Sequence, residues 1–150
     1  MSKKTIKKRR GGVLSYLKKT LGNNSKEFSL LTNESELHVS GMSGQGTINL
    51  KPIDLLLVFG RPLVGDGDKV SGEYLFKDHT SETIISLYDW KQTNLYHKSI
   101  NINPSQFWSQ DKNIEFSIGS HNSQYTSNFI SWIKKEIKQK LNKFNKGLRH

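Results

Sequence analysis

The residues best suited to chemistry lie in one stretch, Gly65 to Lys91, "GDGDKVSGEYLFKDHTSETIISLYDWK". Asp66 and Asp68 open it among glycines, and Asp89 and Lys91 close it after an apolar run. "DKVSGEYLF" and "TIISLYDWK" flank the turn-forming "KDHTSE", a pattern that predicts a β-hairpin. A turn centred between Asp78 and His79 sets Asp68 opposite Asp89 and Asp66 opposite Lys91. Residues two apart share a strand face, so the four side chains would form one charged cluster at the open end of the hairpin. Two converging carboxylates can hold Mg²⁺ at about 2.1 Å with several waters retained. A nearby lysine can orient or deprotonate an attacking water while the metal stabilises charge on a phosphate. The same residues also fit a solvated rim in which Lys91 pairs with Asp66 or Asp68 across the strands. A slip of one residue in register would part Asp68 from Asp89.

Other constellations carry less. His38, His79, His97, His121 and His150 are scattered, with no pair at the helical spacing of a zinc site. "GMSGQG" lacks the Lys-Ser/Thr of a phosphate-binding loop, and no nucleophile-elbow pattern occurs. Tyr88, Trp90, Tyr96, Phe107 and Trp108 could stack on the bases of a single strand, although aromatics on strands are more often core. Trp108, in a Ser/Gln-rich stretch, is expected to be the most exposed of the five.

The charge map favours binding over catalysis. The net charge of +10 over 150 residues is uneven. Residues 1–19 carry +8, residues 134–150 carry +6, and the 114 residues between them carry −4. Like-charged blocks at chain ends commonly engage polyanions. The candidate nucleic-acid-binding residues are therefore Lys3, Lys4, Lys7, Lys8, Arg9 and Arg10 in the tail, and Lys134, Lys135 and Lys138 near the other end. "KKRR" also suits a nuclear-localisation signal. A nuclease needs positive potential around its carboxylates, yet the hairpin is the acidic part of the chain. No apolar run approaches the ~20 residues of a membrane span. No apolar segment follows the basic start as a secretory signal would require, and there is no cysteine for disulfides or thiolate metal sites. The expected setting is intracellular, not secreted.

Several elements must position these residues. Residues 1–12 read as a disordered basic tail and 13–150 as one domain, with a short helix at 13–21 closed by Gly22. "EFSLLT" reads as a strand, and "ELHVSGMSGQGTINLK" as two short strands around a glycine-rich turn. "IDLLLVFG" is either buried on all sides or one helical turn. "KSINI" and "NIEFSIG" predict strands, with "PSQFWSQD" as a loop or edge between them. From Ser127 to about Phe144, apolar residues recur at helical spacing with lysines opposite, which predicts a long amphipathic helix. The fold class is α+β: an antiparallel sheet of roughly four to six strands with the C-terminal helix on one face.

Two resemblances add to this reading. The hairpin resembles the PD-(D/E)xK nuclease superfamily, where an aspartate starts one strand and Asp/Glu-x-Lys ends its neighbour. Asp89 and Lys91 match that motif, Asp68 would be the upstream acid, and Mg²⁺ is the implied cofactor; Gly-Asp-Gly-Asp stands where Pro-Asp is usual. The succession "VFGRP", "GDGDKV", "EYLF", "TIISLYDWK" and "FSIGSH" before a helix is similar to a group of small proteins from tailed phages and giant DNA viruses. Phe59, Gly60, Pro62, Gly65, Asp66, Gly67, Lys69, Tyr88, Asp89, Trp90, Lys91, Ile118 and Gly119 hold its recurring positions, with Phe116 in place of tryptophan and Ser120 in place of glycine. That resemblance implies a viral origin, and with it a setting in the host-cell nucleus or cytoplasm, or in a virion. The leading expectation is a non-enzymatic, cofactor-free viral protein that engages nucleic acid or another polyanionic surface through its basic ends. The alternatives are a metal-dependent nuclease using Asp68, Asp89 and Lys91, and a virion or host-interaction protein whose tail binds an acidic protein.

Overall fold

The computed structural model describes residues 27–32, 43–121 and 123–148. The tail at 1–12, the helix expected at 13–21 and the strand expected at 36–40 lie outside the described residues. What is described is α+β: a six-stranded antiparallel sheet and a long C-terminal helix. The strands are β1 (Phe28–Leu31), β2 (Ser43–Leu50), β3 (Leu63–Val64), β4 (Gly72–Asp78), β5 (Thr83–Tyr88) and β6 (Ile114–Ser120). The helices are α1 (Pro52–Phe59), α2 (Pro104–Trp108) and α3 (Thr126–Leu148). No helix among the described residues is long and apolar enough to cross a membrane.

The sheet order is β1-β4-β5-β6-β2, and β3 also pairs with β4. β4, β5 and β6 follow one another, while β1 and β3 lie end to end along the outer edge of β4. β4 and β5 are central, and their sequences "GEYLFKD" and "TIISLY" are largely buried on both faces. Among the described residues β2 stands at the edge of the sheet, and its last residues alternate: Ile48 and Leu50 are buried, Thr47 and Asn49 exposed.

One face of the sheet carries the main core. Phe28, Tyr74, Phe76, Ile85, Leu87, Phe116 and Ile118 from the strands meet Leu55, Phe107, Trp108, Phe129, Trp132, Ile133 and Ile137 from the helices. Phe76 stands edge-on to Trp132, with ring centroids 5.6 Å apart, and Phe28 lies 5.0 Å from the same indole. Such aromatic pairs add about 0.5–1.5 kcal/mol beyond the area they bury. α3 is thus held by apolar side chains spaced three and four apart, as its sequence predicts.

Several local expectations are corrected. "IDLLLVFG" forms two helical turns, not one, because Pro52 at the first helical position is pre-set for a helix and Gly60 closes it, its amide donating to the Leu56 carbonyl at 3.0 Å. β2 runs through Gly44 and Gly46 with a register shift between them, where a turn was expected. Residues 98–102 form no strand; Asn94 donates to the Ile102 carbonyl and Ile100 to that of His97, so the segment closes on itself in turns. "PSQFW" is a helix. Asn103 and Gln106 form a reciprocal capping box, with Pro104 behind the cap.

The hairpin exists, but its register differs from the predicted one. Asp78 pairs with Thr83 and Glu73 with Tyr88. The centre expected between Asp78 and His79 would have paired Glu73 with Ile84, four residues short of its observed partner. The reason is the Asp78 side chain, which accepts hydrogen bonds from the amides of Thr80 (2.9 Å) and Ser81 (3.3 Å). It stabilises a wider loop, His79 to Glu82, in which Glu82 takes φ +58°. A slip of an even number preserves which face each side chain occupies, so the faces stand as predicted and the cross-strand partners do not.

Candidate nucleic-acid interface

Phe129, Trp132, Ile133 and Ile137 are turned into the core, and the opposite side of α3 faces solvent. Ser131, Lys134, Lys135 and Lys138 are all exposed. Lys134 and Lys138 stand one turn apart on one stripe, with Lys135 beside them. The helix's single acid, Glu136, is on the buried side, and the Lys140 ammonium lies 3.8 Å from it. The outer face is therefore lysine without carboxylate. Lys143 and Lys146, also exposed, continue the basic character into the last turns, where cations complement the helix dipole. Of the residues singled out for polyanion contact, Lys134, Lys135 and Lys138 are thus brought together; Lys3, Lys4, Lys7, Lys8, Arg9 and Arg10 lie outside the described residues.

The charged end of the hairpin is built differently from the sequence expectation. Opposite Asp89 stand Ser71 and Gly72, not Asp68. Asp89 is fully buried (0 % exposed). Its Oδ1 accepts from the Ser71 and Gly72 amides, both at 3.0 Å, and its Oδ2 from the Ser71 hydroxyl at 2.7 Å. The Ser71 Oγ in turn accepts from Trp108 Nε1 at 3.0 Å. Burial pushes the Asp89 carboxyl above its ordinary value, and the hydrogen bonds from Ser71 and Gly72 pull the other way. This carboxylate ties β5, the start of β4 and α2 together.

Asp66 is occupied elsewhere. Its Oδ1 accepts from the Asp68 amide at 2.8 Å and the Val70 amide at 2.9 Å, and these bonds hold its carboxyl below the ordinary range. The loop doubles back so closely that a side chain at Gly65 would run into the Val70 carbonyl. Asp68 is exposed. Lys91, at φ +58°, donates its amide to the Lys69 carbonyl at 2.7 Å. Its ammonium lies over the rings of Trp90 (5.4 Å) and Tyr96 (5.1 Å). Both Asp89 oxygens are used by protein donors, and the Lys91 head points at aromatic faces. Among the described residues, no three His, Asp or Glu side chains converge as metal ligands would. Asp68 is not set opposite Asp89 as the nuclease motif implies, and Asp89 is engaged by Ser71 and Gly72.

Of the three described histidines, His79 contacts the Ser29 hydroxyl, His97 Nδ1 contacts that of Ser99, and His121 is exposed. The aromatic expectation is reversed at one residue. Trp108 is only 6 % exposed, its indole between Tyr74 and Phe116 and its N–H on Ser71. Phe107 is buried as well, whereas Trp90 (44 %) and Tyr96 are exposed. Ser71 was missed altogether; a serine before a strand carries no signal of its own. Comparison with protein-family models and with curated proteins gives no match, so the site rests on its own geometry.

Proposed function

We propose that the chain binds nucleic acid through the outer face of α3, with the basic residues Lys3, Lys4, Lys7, Lys8, Arg9 and Arg10 as a second point of contact, and that it does so without catalysing a reaction. The observation that carries this reading is the exposed set Lys134, Lys135 and Lys138 on a helix whose single acid is turned inward and paired. Lysines are point charges suited to phosphate, and phosphate contacts set affinity without reading sequence. The nuclease alternative is less well supported, since Asp89 spends its oxygens on Ser71 and Gly72. A viral setting rests on the resemblance drawn from the sequence.

The test is duplex DNA binding measured across salt concentrations. Replacing Lys134, Lys135 and Lys138 together by alanine should weaken binding and reduce the slope of log affinity against log salt by about 0.9 per lost phosphate contact. Deleting residues 1–10 should do the same independently. Affinity and slope unchanged in the triple variant would refute the role of the helix. Cleavage of the DNA on adding Mg²⁺, abolished by Asp89→Asn in a folded variant, would make the chain an enzyme.

A further inference from the structure

The sheet face turned away from α3 holds a cavity of about 260 Å³. We propose that it takes one unpaired base of a single-stranded nucleic acid, with the neighbouring phosphate on Lys69 and Lys91. The pairings Glu73–Tyr88, Leu75–Ser86 and Ser86–Gly119 put these side chains on one face, opposite to Phe76 and Phe28. All five line the cavity together with Val70 and Trp90. It is thus separate from the lysine face of α3, although it rests on the nucleic-acid reading for the class of polymer.

Each part of the wall suits a flat, amino-bearing ring. Leu75 (1 % exposed) and Val70 give an apolar floor. Gly119 keeps that floor open: a Cβ there would come within 2.6 Å of the Ser86 hydroxyl and 3.3 Å of the Tyr88 ring. Tyr88 and Trp90 form a corner, with centroids 6.2 Å apart and planes at 75°, so that a ring stacked on one meets the edge of the other. The Glu73 carboxylate can accept from an exocyclic amino group or ring N–H, as acids do with cytosine N4. The Ser86 hydroxyl can donate or accept. The volume lies just below the ~300 Å³ at which pockets for drug-sized ligands begin, which limits the occupant to about one ring system.

The rim selects an anion. Lys69 and Lys91 hold their ammonium groups 5.9 and 5.4 Å from the Trp90 ring centre. Exposed cation–π contacts of this kind are weak, and Lys91 would also leave the Tyr96 ring, 5.1 Å away, for a stronger charge-assisted bond to phosphate. A neutral sugar would use the aromatics and the carboxylate but leave both cations idle. A base with its phosphate uses all of them. A duplex cannot enter, because its bases are paired and stacked.

The experiment compares a fluorescent single strand of about 12 nucleotides with its duplex, on the full chain. Trp90→Ala should weaken single-strand binding roughly 5- to 150-fold, the cost of one lost stacking platform. Trp90→Phe should restore most of it, and duplex binding should not change in either. Lys69→Ala with Lys91→Ala should reduce the single-strand salt slope by about 0.7 per contact. Trp90→Ala binding the single strand as wild type does, at an unchanged thermal midpoint, would overturn the assignment whatever α3 does. A mononucleotide competing as well as the oligonucleotide would also overturn it, in favour of a free nucleotide. Loss of duplex binding in the α3 lysine variant, with the Trp90 result null, leaves the helix reading standing and this one refuted. The reverse pattern does the opposite.

Discussion

Asp89 offers the sharpest test of the structure, because a solvated rim and a buried tie predict different stabilities. Asp89→Ala removes the acceptor of three hydrogen bonds, two from backbone amides and one from the Ser71 hydroxyl. A hydrogen bond to a charged group is worth about 1.5–3 kcal/mol, and a buried donor left unpaired costs about 1–3 kcal/mol. The three donors are adjacent, so their costs do not add fully. The expected loss is about 3–5 kcal/mol, a large part of the 5–15 kcal/mol that holds a typical domain. At about 2–4 °C per kcal/mol in a chain of this size, the melting point should fall by roughly 10 °C. Asp89→Asn should cost less, about 1–2 kcal/mol. Its amide oxygen can still accept from both backbone amides, but its N–H₂ meets the Ser71 Oγ, already engaged by Trp108. The pH dependence gives a second reading. The folded carboxyl sits above its ordinary value of 3.8, so the folded state binds this proton more tightly than the unfolded one. Wild type should therefore gain stability relative to Asp89→Asn as pH falls through the raised pKa, and the gain should level off below 3.8. Urea unfolding of the three proteins at several pH values measures all of this. An Asp89→Ala variant within about 0.5 kcal/mol of wild type at neutral pH, as expected of a surface residue, would refute the reasoning.

Two further outcomes follow from the packing and the loop. Trp132→Ala empties the contact between Phe28, Phe76 and Phe129 and should cost about 3–5 kcal/mol; a thermal midpoint equal to wild type would show that α3 is not seated as described. Asp66→Ala removes two side-chain to backbone bonds and should cost about 1 kcal/mol at neutral pH, the size of a lost helix cap. Since the folded Asp66 carboxyl lies below 3.8, that contribution is present above 3.8 and disappears as pH falls through the folded value. A gap between variant and wild type that widens on acidification would contradict it.

The parts legible in the sequence were those decided by periodicity. The spacing of Phe129, Trp132, Ile133 and Ile137 located α3 and its buried side, and with it the exposure of Lys134, Lys135 and Lys138. The turn-forming "KDHTSE" between two strand-like runs located β4 and β5. What was not legible depends on single polar atoms or on neighbours distant in sequence. Asp78 decided the hairpin loop, and the predicted pairing of Asp68 with Asp89 was lost with the register. Asp89 itself gives no sign that its partners are amides 17 and 18 residues upstream. Trp108 lies in a polar stretch, yet Ser71 and Tyr74 cover it. The signal for α2 was present, in Asn103, Pro104 and Gln106, but five residues are too few for periodicity to show.

The strand order also bears on synthesis. β2 ends at Leu50, but among the described residues its partner strand, β6, is complete only at Ser120, 70 residues later. At roughly 5–20 residues per second, a ribosome leaves β2 without that partner for about 4–14 s. Among the described residues no strand lies beside Ile48 and Leu50 in that interval, whereas β4 and β5 can close on each other as soon as Tyr88 emerges. A nascent strand held open this long is exposed to pairing with other chains. The exposed Thr47 and Asn49 and the irregularity at Gly44 and Gly46 make β2 a poor template for that. Features that look like weakness in the finished sheet are then protective while the chain is still growing.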